Sequence, residues 1–317
     1  MANKDAVKYI ESSFLKPLLE NEDITDISYN GHYLFYVSNK EGRKKSEINV
    51  LPEDVTSFLR QIANLTEKSL NLALPILDVS FGRYRLNGVN YSLGRYEQKK
   101  TPSFSLRLAS KTCRVDENDF LDKESRKLLL NILNEERSIV IGGKTSSGKT
   151  ELQKWFLLNA KEGMRMIVID NVEELDLMNN DKIDLTTWIS DEANHYSSLS
   201  FLIKNALRHN PDYLLIAEAR GGEMLDALAS AGSGHPLITT LHADSLKNMP
   251  HRVLRLALMG KTALSPKEIK KEIYEAIPYY VYVEKIRTNE GFIKRFVSGI
   301  GKLENNRMHI LYERSLS

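Results

Sequence analysis

The residues with the most definite chemistry form one short glycine-containing segment near the middle of the chain. They match the pattern G-x-x-x-x-G-K-[ST] at every fixed position and read Gly143-Lys144-Thr145-Ser146-Ser147-Gly148-Lys149-Thr150. In this pattern the glycines let backbone N–H groups surround the α- and β-phosphates, Lys149 reaches the β- and γ-phosphate oxygens, and the Thr150 hydroxyl binds Mg²⁺. A helix that starts at the lysine directs its positive end toward the same phosphates. The segment therefore predicts a binding site for a nucleoside triphosphate and Mg²⁺.

Two apolar runs end in acids that suit a phosphoryl-transfer reaction, which needs carboxylates near the metal and the attacking water. One run, residues 213–217, ends in Glu218, as expected for a strand that carries a catalytic acid. The other, residues 167–169, leads into the acidic segment Asp170-Asn171-Val172-Glu173-Glu174-Leu175. Ligands of parallel α/β sheets bind at the carboxyl ends of the strands. We therefore expect Glu218, Asp170 and Glu174 to lie near the nucleotide.

Two histidines bracket a further apolar run. His235 precedes residues 237–241 and His242 follows them, and small residues beside both allow a neighbouring backbone to approach closely. A single histidine is more often a packed or surface residue than a functional one. The functional interpretation therefore depends on the spacing of the pair. The segment Leu207-Arg208-His209-Asn210-Pro211-Asp212 stands just before the run that ends in Glu218.

The elements that must position these residues are apolar runs separated by helical stretches. They lie at 138–141, 167–169, 214–216 and 237–241. Such runs predict a parallel sheet that is covered by helices on both faces. We therefore predict an α/β domain over residues 120–317, in which the alternating residues 292–312 add antiparallel strands.

The residues before this domain predict a smaller mixed α/β domain over 1–108. An opening helix is followed by short alternating runs, and residues 104–108 alternate in the manner of an edge strand. Residues 109–119 are polar and without periodicity, so we predict that they are a linker.

Composition limits the class of protein. The chain has 317 residues, a net charge of +2 and 44 Lys+Arg against 42 Asp+Glu, which argues against a dedicated nucleic-acid binder. Cys113 is the one cysteine, so an internal disulfide and a multi-cysteine zinc site are excluded. No apolar run approaches the roughly 18 residues of a membrane span, and the charged N-terminal residues do not form a signal peptide. We expect a cytoplasmic protein unless a partner holds it at a membrane.

These segments together resemble the secretion ATPases of type II and type IV secretion systems and of type IV or Flp-type pili. The match is nearest to the branch of type IV secretion and Flp pili, in which the histidine segment contains GH and TTLHA-x-S. The resemblance implies a RecA-like P-loop NTPase core with a smaller N-terminal domain. It also implies a homohexameric ATP hydrolase that works with a platform protein of the inner membrane, at the cytoplasmic face, without binding nucleic acid directly.

The resemblance assigns roles to individual residues. Glu218 would orient or deprotonate the attacking water, with Asp170 and Glu174 near the metal. His242 would sense the γ-phosphate or link subunits, and His235 is a weaker candidate of the same kind.

Four arginines also receive roles from the resemblance. Arg85 and Arg107 are similar to the arginines of the family's N-terminal domain that close over the phosphates. Arg208 and Arg220 would reach the nucleotide or the subunit interface, although a surface salt bridge is about as probable for either one.

The acidic segment departs from the family's usual E-D-x-x-E-L, because Asp170 is shorter and Asn171 is an amide. One carboxylate near the metal is thereby lost. Two other interpretations stay open: a nucleic-acid motor of the RecA type, which would need a basic channel, and a nucleotide-gated scaffold without turnover.

Two charge runs have no place in this chemistry. Residues 41–45, EGRKK, and 97–100, EQKK, are predicted to be solvated hairpin tips, with contact to an anionic membrane surface as the alternative.

Overall fold

The computed structural model describes residues 2–116, 118–171, 174–175, 180–192 and 194–315. The chain divides into two compact units, of which the first comprises Met1–Lys111 and Arg287–Ile293 and the second comprises Thr112–Ile286 and Lys294–Ser317. The short segment 287–293 joins the first unit as the tip of a hairpin, where the Ile293 N–H donates a hydrogen bond to the Lys40 carbonyl at 2.6 Å.

The first unit is a sheet with helices on one face. Its helices are α1 (Ala2–Glu11), α2 (Lys16–Leu19) and α3 (Pro52–Leu65). Its strands are β1 (Ile24–Tyr29), β2 (Leu34–Ser38), β3 (Gly42–Lys45), β4 (Ile76–Phe81), β5 (Tyr84–Val89), β6 (Arg95–Tyr96), β7 (Lys99–Lys100) and β8 (Ser103–Leu108). Six of them form a sheet in the order β3-β2-β1-β8-β5-β4, while β6 and β7 form a separate two-stranded ribbon.

Strand β8 lies inside this sheet, between β1 and β5, so the edge position predicted for residues 104–108 is wrong. The alternation that suggested an edge has another cause. Leu106 is buried in the core with Leu86 and Ile27, whereas the residues on the other face of the strand are exposed. An interior antiparallel strand with one uncovered face alternates in the same way as an edge strand.

The second unit is a larger sheet between two layers of helices. Its helices are α4 (Lys123–Asn134), α5 (Lys149–Leu158), α6 (Leu199–Ala206), α7 (Glu223–Gly232), α8 (Met249–Ala257) and α9 (Pro266–Ala276). Its strands are β9 (Ile139–Gly143), β10 (Arg165–Asp170), β11 (Asp184–Ile189), β12 (Tyr213–Ile216), β13 (Leu237–His242), β14 (Tyr279–Arg287), β15 (Ile293–Glu304) and β16 (Arg307–Glu313). The strand order is β11-β10-β12-β13-β9-β14-β15-β16.

The four predicted apolar runs become β9, β10, β12 and β13, and they pair in parallel as predicted. The predicted antiparallel addition is also present, because β15 and β16 pair antiparallel. The sequence analysis missed two strands, β11 and β14, each of which pairs in parallel with a predicted one.

Apolar side chains from both faces of the central strands explain why these runs are continuous. Ile139 and Ile141 of β9 pack into one core with helices α4 and α5. Val140, on the opposite face, packs into a second core with helices α6 to α9. None of the helices within the described residues is both long and apolar enough to cross a membrane.

A close backbone contact joins the turn before α7 to the turn after α8. A Cβ atom added at Gly222 would lie 2.8 Å from both the Cα and the N of Gly260. The φ of Gly222 is −64°, which any L-residue adopts, so the close approach alone requires glycine at this position.

We expect Gly222→Ala to lower the free energy of unfolding by about 1–3 kcal/mol, because backbone atoms must move to admit the methyl group. Gly232→Ala is the matched control at the far end of the same helix, where an added Cβ meets nothing within 4 Å. We expect that control to change the free energy by no more than about 0.5 kcal/mol. Urea unfolding of both variants measures the difference, and equal stabilities would show that the Gly222–Gly260 contact is not tight.

Candidate functional site

The phosphate-loop segment joins strand β9 to helix α5, as the sequence pattern predicted. Gly143 is the last residue of β9 and Lys149 the first of α5. Gly148 has φ +101°, in the region that favours glycine, and a Cβ there would lie 2.7 Å from the Phe120 ring. A larger residue at 148 is therefore opposed by both backbone conformation and packing.

The ammonium of Lys149 lies inside the loop. Its Nζ donates to the carbonyl of Gly143 at 3.2 Å and to that of Lys144 at 3.0 Å. The residue is only 8% exposed. Lys144, Thr145 and Ser146 are exposed at the rim of the loop.

Two hydroxyl groups of the segment are placed to accept further partners. The Ser147 Oγ is buried and has no hydrogen-bond partner among the described residues. Thr150, the second residue of α5, is half-buried. Of the two, the pattern assigns only the Thr150 hydroxyl, to the metal.

Two cations that the sequence analysis missed hold the loop from strands β14 and β15. Lys285 Nζ donates to the Thr145 carbonyl at 3.3 Å, and Arg295 Nε donates to the Ser146 carbonyl at 2.8 Å. No motif marks them, because their strands follow the loop by more than a hundred residues.

Glu218 lies just beyond the carboxyl end of β12, and backbone hydrogen bonds fix its position. The Ala217 N–H donates to Ile169 on one side, and the Ala219 N–H donates to Thr240 on the other. The Glu218 Oε2 accepts two hydrogen bonds from Arg220, from Nε at 2.9 Å and from Nη2 at 2.7 Å. Its Oε1 is buried and accepts no hydrogen bond from the described residues.

His242, the last residue of β13, lies between Lys149 and Glu218. Its Nε2 is 3.0 Å from Glu218 Oε1, close but without the alignment of a hydrogen bond, and its Nδ1 is 3.4 Å from Lys149 Nζ. The imidazole therefore lies within 3.4 Å of an ammonium on one side and within 3.0 Å of a carboxylate on the other. The strand order β12-β13-β9 thus links Glu218, His242 and Lys149 in a row.

The surroundings of His242 favour the neutral form of its ring. Burial lowers the pKa of His242 below its ordinary value, and the Lys149 ammonium acts in the same direction. The Glu218 carboxylate opposes this shift without cancelling it.

The acidic segment after β10 is engaged with its own backbone. Asp170 is 1% exposed, and its Oδ1 and Oδ2 accept hydrogen bonds from the N–H groups of Asn171 at 2.7 Å and Leu175 at 2.9 Å. Glu174 is also buried, while Val172 and Glu173 lie outside the described residues. Strand β10 is three strands from β9, which is roughly 14 Å at about 4.8 Å per strand. Asp170 therefore lies away from the end of β9, and its hydrogen bonds hold the turn that follows β10.

The structure separates two further candidates from this row. His235 lies before β13 begins and His242 at its end, about 23 Å apart for seven residues at about 3.3 Å each. Arg208 is exposed in a short turn on the amino-terminal side of β12, whereas Glu218 follows the carboxyl end. Arg220, in contrast, contacts Glu218 directly.

Arg85 and Arg107 belong to the first unit. They are direct cross-strand partners on β5 and β8, on the face of the sheet that no helix of this unit covers. Asp26 lies opposite Arg107 on β1, and Arg85 Nη2 is 3.6 Å from Asp78 Oδ2. The two guanidinium groups thus lie opposite each other with an aspartate beside each of them.

A buried glutamine and two arginines were also missed. Gln153 of α5 is fully buried, and its Nε2 donates to the Ile216 carbonyl at 2.8 Å, which ties the helix of the loop to β12. Arg252 and Arg255 of α8 line a cleft of about 590 Å³ together with Lys144, Thr145 and His242. A polar residue within the apolar run of α5 was the available signal for Gln153.

Comparison with known proteins identifies the family. The profile of the family described as "Type II/IV secretion system protein" matches residues 99–277, which is more than half of the chain. The chain belongs to this family. The predicted resemblance to secretion ATPases and the RecA-like α/β core are thereby confirmed.

Individual relatives agree with this membership. An uncharacterized protein of Bacillus anthracis is 25% identical over 94% of this chain and 70% of its own length. The type IV secretion system protein VirB11 of Brucella suis is 31% identical over 160 residues, which are 49% of this chain and 44% of that protein. The chain therefore aligns with less than half the length of VirB11.

A solved structure shares the fold. The X-ray structure of the Legionella pneumophila ATPase DotB matches with a TM-score of 0.68 and 18% identity, over 92% of this chain and 81% of that one. At this identity the likeness concerns the fold alone.

Protonation of His242 should lower the stability of this secretion-family protein. Because its pKa is lowered on folding, the unfolded chain binds the proton more readily, and the free energy of unfolding falls as the pH drops below about 6.5. We expect His242→Gln to lose less stability than the unmodified protein on acidification from about pH 7 to about pH 5. Urea unfolding across this range measures it, with His235→Gln as control. Identical pH slopes for the His242→Gln variant and the unmodified protein would contradict the assignment.

Proposed function

We propose that this chain is an ATP hydrolase that works as a homohexameric motor in secretion or pilus assembly. The observation that supports it best is the row Lys149–His242–Glu218, which connects the phosphate loop to an acid at the end of a neighbouring strand. Membership of the secretion family supplies the biological setting, since VirB11 is a type IV secretion system protein and DotB an ATPase.

ATP binding would exchange contacts of Lys149. The ammonium would turn from the carbonyls of Gly143 and Lys144 to the β- and γ-phosphate oxygens, where charge-assisted hydrogen bonds are stronger. The positive end of α5 and the backbone N–H groups of residues 143–148 would hold the phosphates.

The residues present fit Mg²⁺. Thr150 offers a hydroxyl at the start of α5, and the buried, unpartnered Oε1 of Glu218 is an acceptor with no other ligand among the described residues. Thr150 would bind Mg²⁺, which would neutralise charge on the β- and γ-phosphates.

Glu218 would activate the attacking water. Its Oε1 would accept a proton as the water oxygen bonds to the γ-phosphorus and the bond from that phosphorus to the β-phosphate oxygen breaks. Arg220 fixes the carboxylate through Oε2, so only Oε1 is available for this transfer. His242, whose Nε2 lies 3.0 Å from Oε1, stands between this carboxylate and Lys149.

The shortened acidic segment fits a structural role in this scheme. Asp170 accepts hydrogen bonds from the N–H groups of Asn171 and Leu175, which hold the turn after β10, and the proposal gives the catalytic charge to Glu218. The reaction would then depend on one strand-end carboxylate, with Asp170 and Glu174 shaping the edge beside it.

Arg85 and Arg107 would serve as the moving contact of the motor. A γ-phosphate can relieve their mutual repulsion, because guanidinium groups bind phosphate bidentately and stay charged. Loss of the γ-phosphate would release the first unit, so hydrolysis becomes domain movement. A platform protein of the inner membrane would receive that movement at the cytoplasmic face, and no direct contact with nucleic acid is part of the proposal.

Two substitutions separate binding from hydrolysis. We expect Lys149→Ala to weaken ATP binding at least about tenfold, because it removes the charge-assisted phosphate contacts. We expect Glu218→Gln to keep ATP binding but to lower turnover about 10²-fold or more, because the amide cannot accept the proton. Nucleotide titration and steady-state phosphate release measure the two effects.

The scaffold and base assignments can each fail in this experiment. ATP binding without turnover in the unmodified, hexameric protein would favour the nucleotide-gated scaffold. A larger loss of turnover in Asp170→Asn than in Glu218→Gln would move the base to the acidic segment, provided that both variants unfold at the same urea concentration as the unmodified protein.

The arginine pair is tested in the same assay. We expect Arg85→Ala and Arg107→Ala each to leave assembly intact and to reduce turnover at least about tenfold, toward the roughly 10³-fold effect of an arginine that contacts the transferred phosphate. Lysine at either position should restore little, because it cannot bind bidentately. Arg43→Ala, on the same face of the sheet but bonded to Ser28, is the control. Normal turnover in both alanine variants would reject the clamp.

A further inference from the structure

At one end of the first unit's sheet, where its strands begin or terminate, five chain segments that are distant in sequence come together. The register pairs Phe35 with Lys45, Tyr29 with Leu34 and Phe104, Ser103 with Val89, and Val89 with Ile76. The strand ends at this edge therefore carry Lys45, the turn 30–33, the ribbon 95–100, the turn 90–94 and the loop 71–75. We call this set the ribbon edge. Lys45, the last residue of the charge run 41–45, meets the run 97–100 here.

Cations and aromatic rings pack together at the ribbon edge. Lys45 Nζ lies 3.3 Å from the centroid of the Tyr33 ring, and the His32 ring stacks on Tyr96 at 5.0 Å. Tyr96 pairs across the ribbon with Lys99, and Arg95 pairs with Lys100. Lys45, Arg95, Lys99 and Lys100 are all exposed, against one acid of the ribbon, Glu97.

The ribbon is held firmly to the turn beneath it. Thr101 Oγ1 donates to the Gly31 carbonyl at 2.8 Å, and Thr101 is itself buried. A Cβ atom at Gly31 would lie 2.4 Å from the Thr101 methyl group. A Cβ atom at Gly94 would lie 2.0 Å from the backbone carbonyl oxygen of Thr101. The cationic side chains are thus presented by a fixed scaffold.

Large apolar side chains stand exposed at the same edge. Leu72 is 68% exposed, Leu74 and Ile76 are 57% and Leu93 is 54%. The two segments that carry them are joined, because the Asn90 N–H donates to the Pro75 carbonyl at 2.8 Å and the Leu93 N–H donates to Asn90. Exposed leucines beside a cationic surface indicate an interaction site rather than a surface that only water contacts.

We propose that the ribbon edge binds an anionic membrane surface directly. Leucines that enter the acyl boundary, tyrosines at headgroup depth and lysines that meet anionic headgroups form the combination that suits such a surface. The proposal goes beyond the proposed motor, because it attaches the first unit to lipid without a partner protein.

Single-stranded nucleic acid fits the same surface less well. Its bases need free aromatic faces for stacking, but Lys45 covers a face of Tyr33 and His32 covers one of Tyr96. The exposed leucines would also have no partner on a nucleic acid.

Co-sedimentation of the full chain with vesicles tests the proposal. We expect binding to vesicles of mixed phosphatidylglycerol and phosphatidylcholine, little binding to phosphatidylcholine alone, and weakening with added salt. Each cation near an anionic surface contributes about a fivefold change in affinity, so the triple variant Lys45→Gln, Lys99→Gln, Lys100→Gln should bind about a hundredfold more weakly. The double variant Leu74→Ser, Leu93→Ser should lose at least about tenfold.

Matched controls remove the same charge or apolar group elsewhere. The triple variant Lys267→Gln, Lys270→Gln, Lys271→Gln on α9 and the single variant Leu258→Ser, all at exposed positions of the second unit, should bind like the unmodified protein. ATP turnover without vesicles should be equal in all variants, so failure of lipid binding and failure of the proposed ATPase are read separately.

Three results would overturn the proposal. The first is absence of binding to the anionic vesicles, and the second is equal binding by the ribbon-edge and α9 triple variants. The third is a change of oligomeric state or a loss of single-stranded DNA retention in the ribbon-edge triple variant while vesicle binding persists. That last result would assign the edge to a second copy of the chain or to nucleic acid.

Discussion

The contact of His242 with both Lys149 and Glu218 is the constraint on which the site depends. It exists because β13 lies between β12 and β9, so the ammonium of Lys149, at the start of α5, and the carboxylate of Glu218 each lie within 3.4 Å of the imidazole. Burial and the ammonium both lower the pKa of His242. In the proposed mechanism, a phosphate bound at Lys149 would be connected to Glu218 through this single side chain.

The turn after Glu218 extends this row into the helices. Arg220 holds the carboxylate, and Glu223 accepts hydrogen bonds from the N–H groups of Arg220 and Gly221. Gly222, two residues after Arg220, contacts Gly260 in the loop after α8, and no side chain fits between these two backbone segments. Movement of that loop and movement of Arg220 are thus mechanically connected, because packed backbones do not deform independently.

The first unit uses the parts of one sheet differently. One face builds its core, the opposite face presents the cross-strand pair of Arg85 and Arg107, and one edge presents cations, rings and leucines. Exposed leucines gain nothing from contact with water, so burial does not account for their position at this edge. The two proposals made above assign a binding role to the arginine pair and to the edge.

The sequence by itself determined which polar side chains stand at individual strand ends. The loop at 143–150, the acid at 218 and the histidine at 242 follow from local pattern, because a phosphate loop and a buried strand are each specified within about ten residues. Alternation and apolar runs also predicted the parallel core and the final antiparallel strands.

Only the tertiary structure decided which of these residues meet. Strand order brought His242 to Glu218 and left His235 at the other end of β13, turned β8 into an interior strand, and directed both oxygens of Asp170 to its own backbone. It also gathered Lys45 and the ribbon 95–100 at one edge, and Lys285 and Arg295 at the phosphate loop. Periodicity reports whether a side chain is buried but not what lies across the sheet from it, and pairing between distant segments is set by packing of the whole unit.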